Sequence, residues 1–207
     1  MIMKKKIGIM GGTFDPIHMS HLIIAEAAYE QLKLDEILFI PSGNPPHKKE
    51  RKGRGTDKQR VDMVSLAISG NPHFSLSLED MVKDEYSYTY TLLERLKEQN
   101  PGSELYFIIG ADSLFDFHTW KNPKRICELC TLIVATRNQT AHVVLDNKIQ
   151  EAEEEYSGNF IKLHTPDLDI SSNQIRQWVS ENRSIRYYVP DAVRIYIEDH
   201  HMYKDCE

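Results

Sequence analysis

His18 and His21 stand three residues apart, directly after the glycine pair Gly11–Gly12, in the stretch MGGTFDPIHMSHL at residues 10 to 22. That combination suits the handling of a phosphate. Two glycines let the backbone come close to a ligand or take positive φ, and Thr13 adds N–H and O–H donors. Pro16 ends the turn and sets the start of a helix. On such a helix the two histidines share a face near its N-terminus, where free N–H groups and the helix dipole attract an anion. The rival chemistry is a metal site, but H-x-x-H without a nearby Glu or Cys is a weak one. The stretch also matches neither G-x-x-x-x-G-K-[ST] nor G-x-G-x-x-G, the two common phosphate loops. Taken singly, the glycines fit a tight turn and the histidines an ordinary surface or core pair.

A second candidate lies far down the chain, in LDISSNQIRQW at residues 168 to 178. Ser171 or Ser172 reads as a helix N-cap. Arg176 then falls near the first turn, where a cation opposes the helix dipole. It makes sense there if an anion lies between it and the helix end, and otherwise reads as a solvated surface arginine. Cysteine adds little. Cys127, Cys130 and Cys206 are an odd, low count, which argues for a reducing compartment and against a disulfide framework. The C-x-x-C pair at the end of a helix reads as two part-buried thiols. EDHH at residues 198 to 201 lacks partner Asp motifs and reads as the surface end of the last helix.

The elements that must position these residues alternate. Strand-length apolar runs fall at 6–10, 36–40, 74–78, 104–109, 131–135 and 159–163. ILFI, LYFII and LIVA lack alternation and read as strands buried on both faces. FSLSL alternates, with Phe74, Leu76 and Leu78 on one face, and reads as a strand near an edge. Helical spacing covers 19–33, 57–69, 88–99 and 172–181, and Pro190 starts another helix. The expected fold is α/β: a Rossmann-like, doubly wound parallel sheet with flanking helices, which binds ligands beyond the carboxyl ends of its strands. We read 1–207 as a single domain with a C-terminal helical part from about 171. The segment 42–58 is the one long loop. A net charge of −6 speaks against general nucleic-acid binding, and no run approaches the length of a membrane span. The first residues do not read as a signal peptide.

GGTFDPIHMSH resembles the G-x-F-D-x-x-H-x-G-H signature of nucleotidylyltransferases, with Ser20 where the pattern has Gly. ISSNQIR is similar to the superfamily's ISST-x-[IV]-R segment, which closes over a triphosphate, with Asn173 in place of Thr. IPSGNPPHK (40–48), YSYTYTLL (86–93), FIIGADSLFDFHTWK (107–121) and the terminal YVPDAVRIYI extend the likeness over nearly the full length, to the nicotinate-nucleotide adenylyltransferase family. RNQT (137–140) departs from that family's Arg-Pro-Gly.

The resemblance implies an ATP site at Gly11, Gly12, Thr13, Phe14, His18, His21, Gly110, Asp112, Ile170, Ser171, Ser172 and Arg176. It implies a nicotinate-nucleotide site at Gly12, Thr13, Lys48, Thr89 and Trp120, where Trp120 can stack on a pyridine ring. His18, His21 and Arg176 would be catalytic. The partners would be ATP and nicotinate mononucleotide, with Mg²⁺ held mainly by phosphates and water rather than by a protein site. Neither nucleic acid nor a membrane is an expected partner, and the expected compartment is the cytoplasm. Homo-oligomerisation and the choice between nicotinate and nicotinamide mononucleotide stay open. The rivals are phosphopantetheine adenylyltransferase, which carries Thr where His18 stands, a cytidylyltransferase, and a nucleotide sensor without turnover.

Overall fold

The computed structural model describes residues 4–43, 53–81, 86–136, 142–166 and 168–204. Six strands form one parallel sheet: β1 (Lys6–Gly12), β2 (Glu36–Pro41), β3 (Phe74–Leu76), β4 (Glu104–Gly110), β5 (Thr131–Ala135) and β6 (Phe160–Leu163). Their order across the sheet is β3-β2-β1-β4-β5-β6. The helices are α1 (Met19–Leu32), α2 (Asp57–Ile68), α3 (Thr89–Gln99), α4 (Ala111–Phe115), α5 (Pro123–Leu129), α6 (His142–Tyr156), α7 (Ser172–Ser180) and α8 (Asp191–Asp199).

Successive residues of a strand point to opposite faces, and here both faces are covered. Ile7 and Ile9 of β1, with Leu105, Phe107 and Ile109 of β4, pack against Leu92, Leu93 and Leu96 of α3, Ile126 of α5 and Leu145 of α6. Met10, Ile37, Phe39 and Ile108 face the other way, onto Ala25 and Ala28 of α1, Met63 and Val64 of α2, Ile175 of α7 and Val193 of α8. This is why the central strands read as unbroken apolar runs. All six expected strands form, as does each expected helix. Among the described residues no helix is long and apolar enough to cross a membrane.

Two expectations need correction. β3 is an edge strand, as its alternation implied, but it ends at Leu76, and Leu78 is 53% exposed rather than sharing the inner face. EDHH at 198–201 is the exposed end of α8, as expected. His200 and His201 are exposed, but Met202 and Tyr203 turn back into the core beside Met63. The C-x-x-C thiols are more fully buried than expected. Burial pushes Cys127 up to about 11 and Cys130 higher still, and the Cys130 thiol donates to the Ile126 carbonyl at 3.4 Å. Such thiols resist forming the reactive thiolate. Cys206 lies outside the described residues.

β1 and β4 are neighbours whose connections leave toward opposite edges of the sheet. β1 leads to β2 on one side, and β4 leads to β5 on the other. A crevice opens beyond the carboxyl ends of two such strands.

Candidate active site

A cavity of about 390 Å³ fills that crevice. Gly11 and Gly12 from the end of β1 and Gly110 from the end of β4 form its floor, with Thr13, His18 and His21 on the α1 side. Thr89 and Ser87, at the N-terminus of α3, line the opposite part with Trp120, and Asp112 stands in the first turn of α4.

His18 is the N-cap of α1, in extended conformation and only 3% exposed. Its backbone N–H donates to Nδ1 of His21 at 3.3 Å. The two rings stack with centroids 3.7 Å apart, and Phe14 meets the His21 ring edge-on at 5.1 Å. Because Nδ1 of His21 accepts, the proton of the neutral ring is assigned to Nε2. The His21 ring is therefore held in place by the helix start and keeps a donor on its other nitrogen.

The loop that leads into α1 is held from outside. Its Phe14 has φ +51 and buries its ring, and the Asp15–Pro16 peptide is cis. Buried Arg60 on α2 donates from Nη1 to the Thr13 carbonyl at 2.7 Å and from Nη2 to Asp57 Oδ1 at 2.7 Å. Ser172 Oγ donates to the Pro16 carbonyl at 2.9 Å. Arg176 donates from Nη1 to the Asp15 carbonyl and from Nη2 to Asn173 Oδ1. Buried polar groups need such partners.

Nine of the expected site residues meet at the cavity: Gly11, Gly12, Thr13, His18, His21, Gly110, Asp112, Thr89 and Trp120. Phe14, Ile170, Ser171, Ser172 and Arg176 do not line it. Phe14 is a core ring, and the Arg176 guanidinium is occupied behind the loop. Asn173 does not cap α7, since its Oδ1 accepts from Arg176. The cap is Ser171, whose Oγ accepts from the Gln174 N–H at 3.2 Å. Lys48 and residues 137–140 lie outside the described residues.

The cavity also holds Ser20, which stands where the signature has Gly, and Asp80, which sequence reasoning missed. Ser20 is buried at its edge, and its hydroxyl donates to the Leu168 carbonyl at 3.3 Å, tying α1 to the segment before α7. Asp80 is 7% exposed on the cavity wall. Among the described residues its Oδ1 has no hydrogen-bond donor, and Arg95 Nη2 lies 3.8 Å away. Burial pushes the Asp80 carboxyl up to about 6, against a hydrogen bond from Ser87 and the charge of Arg95. Nothing in the spacing of LEDMVKDE singles this carboxylate out. Among the described residues no group of three or more His, Cys, Asp or Glu side chains is arranged to hold a metal ion.

The fold is that of a nucleotidyltransferase, and the cytidylyltransferase-like family matches residues 9–178. The chain is 42% identical over 199 residues to a "Probable nicotinate-nucleotide adenylyltransferase" of Lachnoclostridium phytofermentans, covering 96% of this chain and 99% of the relative. It is 41% identical over 203 residues to the protein of the same description in Clostridium tetani, covering 98% and 100%. It belongs to the nicotinate-nucleotide adenylyltransferases. A solved structure of Plasmodium falciparum nicotinic acid mononucleotide adenylyltransferase, complexed with NaAD, shares the fold with a TM-score of 0.78 at 22% identity, covering 97% of this chain and 98% of that one.

Proposed function

We propose that this chain joins ATP and nicotinate mononucleotide, giving nicotinate adenine dinucleotide and pyrophosphate, as a cytoplasmic enzyme of NAD biosynthesis. The observation that carries the reading is the stacked His18–His21 pair at the start of α1, over the glycine floor of the cavity. A phosphate oxygen of the mononucleotide attacks the α-phosphorus of ATP, and the bond from that phosphorus to the bridging oxygen of pyrophosphate breaks. The nucleophile is already anionic near neutrality, because a phosphate monoester has a second pKa of about 6. No strong base is needed. The barrier is the approach of two anions and the spread of charge in an in-line transfer, so catalysis rests on positioning and fixed donors.

His21 Nε2–H and the His18 ring serve the α- and β-phosphates. Gly11, Gly12 and Thr13 give the triphosphate room and N–H donors, and Gly110 and Asp112 bound the nucleotide from β4. Ser172 and Arg176 act on the same site from behind, through the carbonyls of Pro16 and Asp15. Ile170 and Ser171 belong to the same supporting segment. Trp120 stacks on the pyridine ring, and the donors of Thr89 at the start of α3 take the carboxylate. Gly12, Thr13 and Lys48 complete the mononucleotide site. ATP enters as its magnesium complex, the ion carried by phosphates and water.

The test is pyrophosphate release from ATP with each acceptor in turn. Release with nicotinate mononucleotide alone supports the proposal. Release only with phosphopantetheine, or ATP binding without any release, refutes it.

A further inference from the structure

The loop at residues 13–17 has one anchor that lies near the far end of the chain. Asp15 is 2% exposed, and its Oδ1 accepts the hydroxyl of Tyr203 at 2.7 Å and the backbone N–H of Gly55 at 3.0 Å. Tyr203 is itself 3% exposed. One carboxylate thus joins three segments: the loop into α1, the stretch just before α2, and the turn after α8. Gly55 is suited to its place. A Cβ there would lie 2.9 Å from Asp15 Oδ1 and 3.0 Å from Met202 Cε, so a side chain would have to displace the Asp15 carboxylate or the end of Met202. In the turn, His201 and Tyr203 take φ of +50 and +62, a region that side-chain-bearing residues occupy sparingly. That backbone brings the phenol inside, where it meets a carboxylate in a charge-assisted bond.

We propose that Tyr203 is a positioning residue for adenylyl transfer. Through Asp15 it holds the loop in the register that presents His18 and His21 to the phosphates; this rests on the function proposed above. Arg60, Arg176 and Ser172 each secure one carbonyl of the loop. The Asp15 side chain instead locks the loop to two other segments at once. Asp15 is three residues from His18, so a shift at its carboxylate is passed along a short, stiff stretch that contains Pro16. A misplacement of about 1 Å at such a site costs about a hundredfold in rate.

Tyr203→Phe keeps the ring and removes only the hydroxyl. The expected result is a fall of about tenfold in kcat for pyrophosphate release, with KM for both substrates within about threefold. Amide deuterium exchange at Thr13, Phe14, Asp15 and Ile17 should be about tenfold faster. Met202→Leu perturbs the packing of the same turn without touching the carboxylate, and should leave kcat and loop exchange unchanged. A Tyr203→Phe enzyme that only melts earlier, with normal kcat and normal loop exchange, overturns the proposal. Equal losses in the two variants also overturn it. The exchange measurement needs no turnover, so it stands even where the acceptor assay refutes the proposed reaction.

Discussion

Asp80→Asn replaces a buried carboxyl that favours its neutral form with a side chain that does not titrate. The wild-type group is held at about 6 against an ordinary value of 3.8. Between those values the folded protein binds more protons at this position than the unfolded chain does. Its stabilising contribution is therefore full below the unfolded value and is lost as pH rises through about 6. From about pH 5 to about pH 7.5 the linkage relation gives a loss of about 1.4 kcal/mol from this one group. In a protein of this size that corresponds to a few degrees in Tm, at about 2–4 °C per kcal/mol. Urea unfolding of both proteins at the two pH values isolates the effect, because every other titration cancels in the difference. The stability gap should move by about 1.4 kcal/mol in favour of the Asn variant at the higher pH. A gap that is the same at both values refutes the reasoning. The same charge should oppose the binding of anionic substrates on the cavity wall. KM for nicotinate mononucleotide should rise through pH 6 more steeply in the wild type than in the variant.

Three other substitutions probe the cavity directly. His21→Ala should lower kcat by about 10²–10³, the usual loss for one transition-state donor, and near-normal turnover rules out the assigned role. Ser20→Gly removes the 3.3 Å bond to Leu168 and should cost about 0.5–1 kcal/mol in denaturant unfolding. Its ATP affinity, read by calorimetry, should change by less than about threefold, because the hydroxyl is engaged with Leu168; a marked gain would mean that Ser20 holds α1 away from the nucleotide. Trp120→Ala should raise KM for nicotinate mononucleotide by about tenfold and leave that for ATP nearly unchanged. Equal rises for both substrates would contradict stacking on the pyridine ring.

Strands β4 and β5 were legible because helices cover both faces of the sheet, which demands unbroken apolar runs. α6 was not anticipated. Leu145 and Ala152 are buried and Ile149 and Tyr156 pack against the same cluster, a narrow stripe, preceded by the exposed Val143 and Val144, on a helix otherwise rich in charge. α4 has five residues, too few to establish a period. The histidine motif was readable because it is contiguous. Arg60 and Asp80 were not, since each acquires its role only through tertiary contact: Arg60 reaches a carbonyl 47 residues away. Arg176 also has partners that its local spacing does not reveal. Its guanidinium donates to the Asp15 carbonyl, 161 residues away, and to Asn173 Oδ1.

The distances along the chain between the 13–17 loop and its anchors bear on how the enzyme comes into being. Arg60, Ser172, Arg176 and Tyr203 stand 47, 156, 161 and 188 residues from their partners in the loop. Contacts that span so much chain form late, because their closure entropy is recovered only once the intervening elements have docked. Synthesis runs from the N-terminus, so the 13–17 loop emerges well before Arg60, Ser172, Arg176 and Tyr203 and is organised only after them. A growing chain carries the motif long before it carries the site, and adenylyl transfer waits until the far helices have docked.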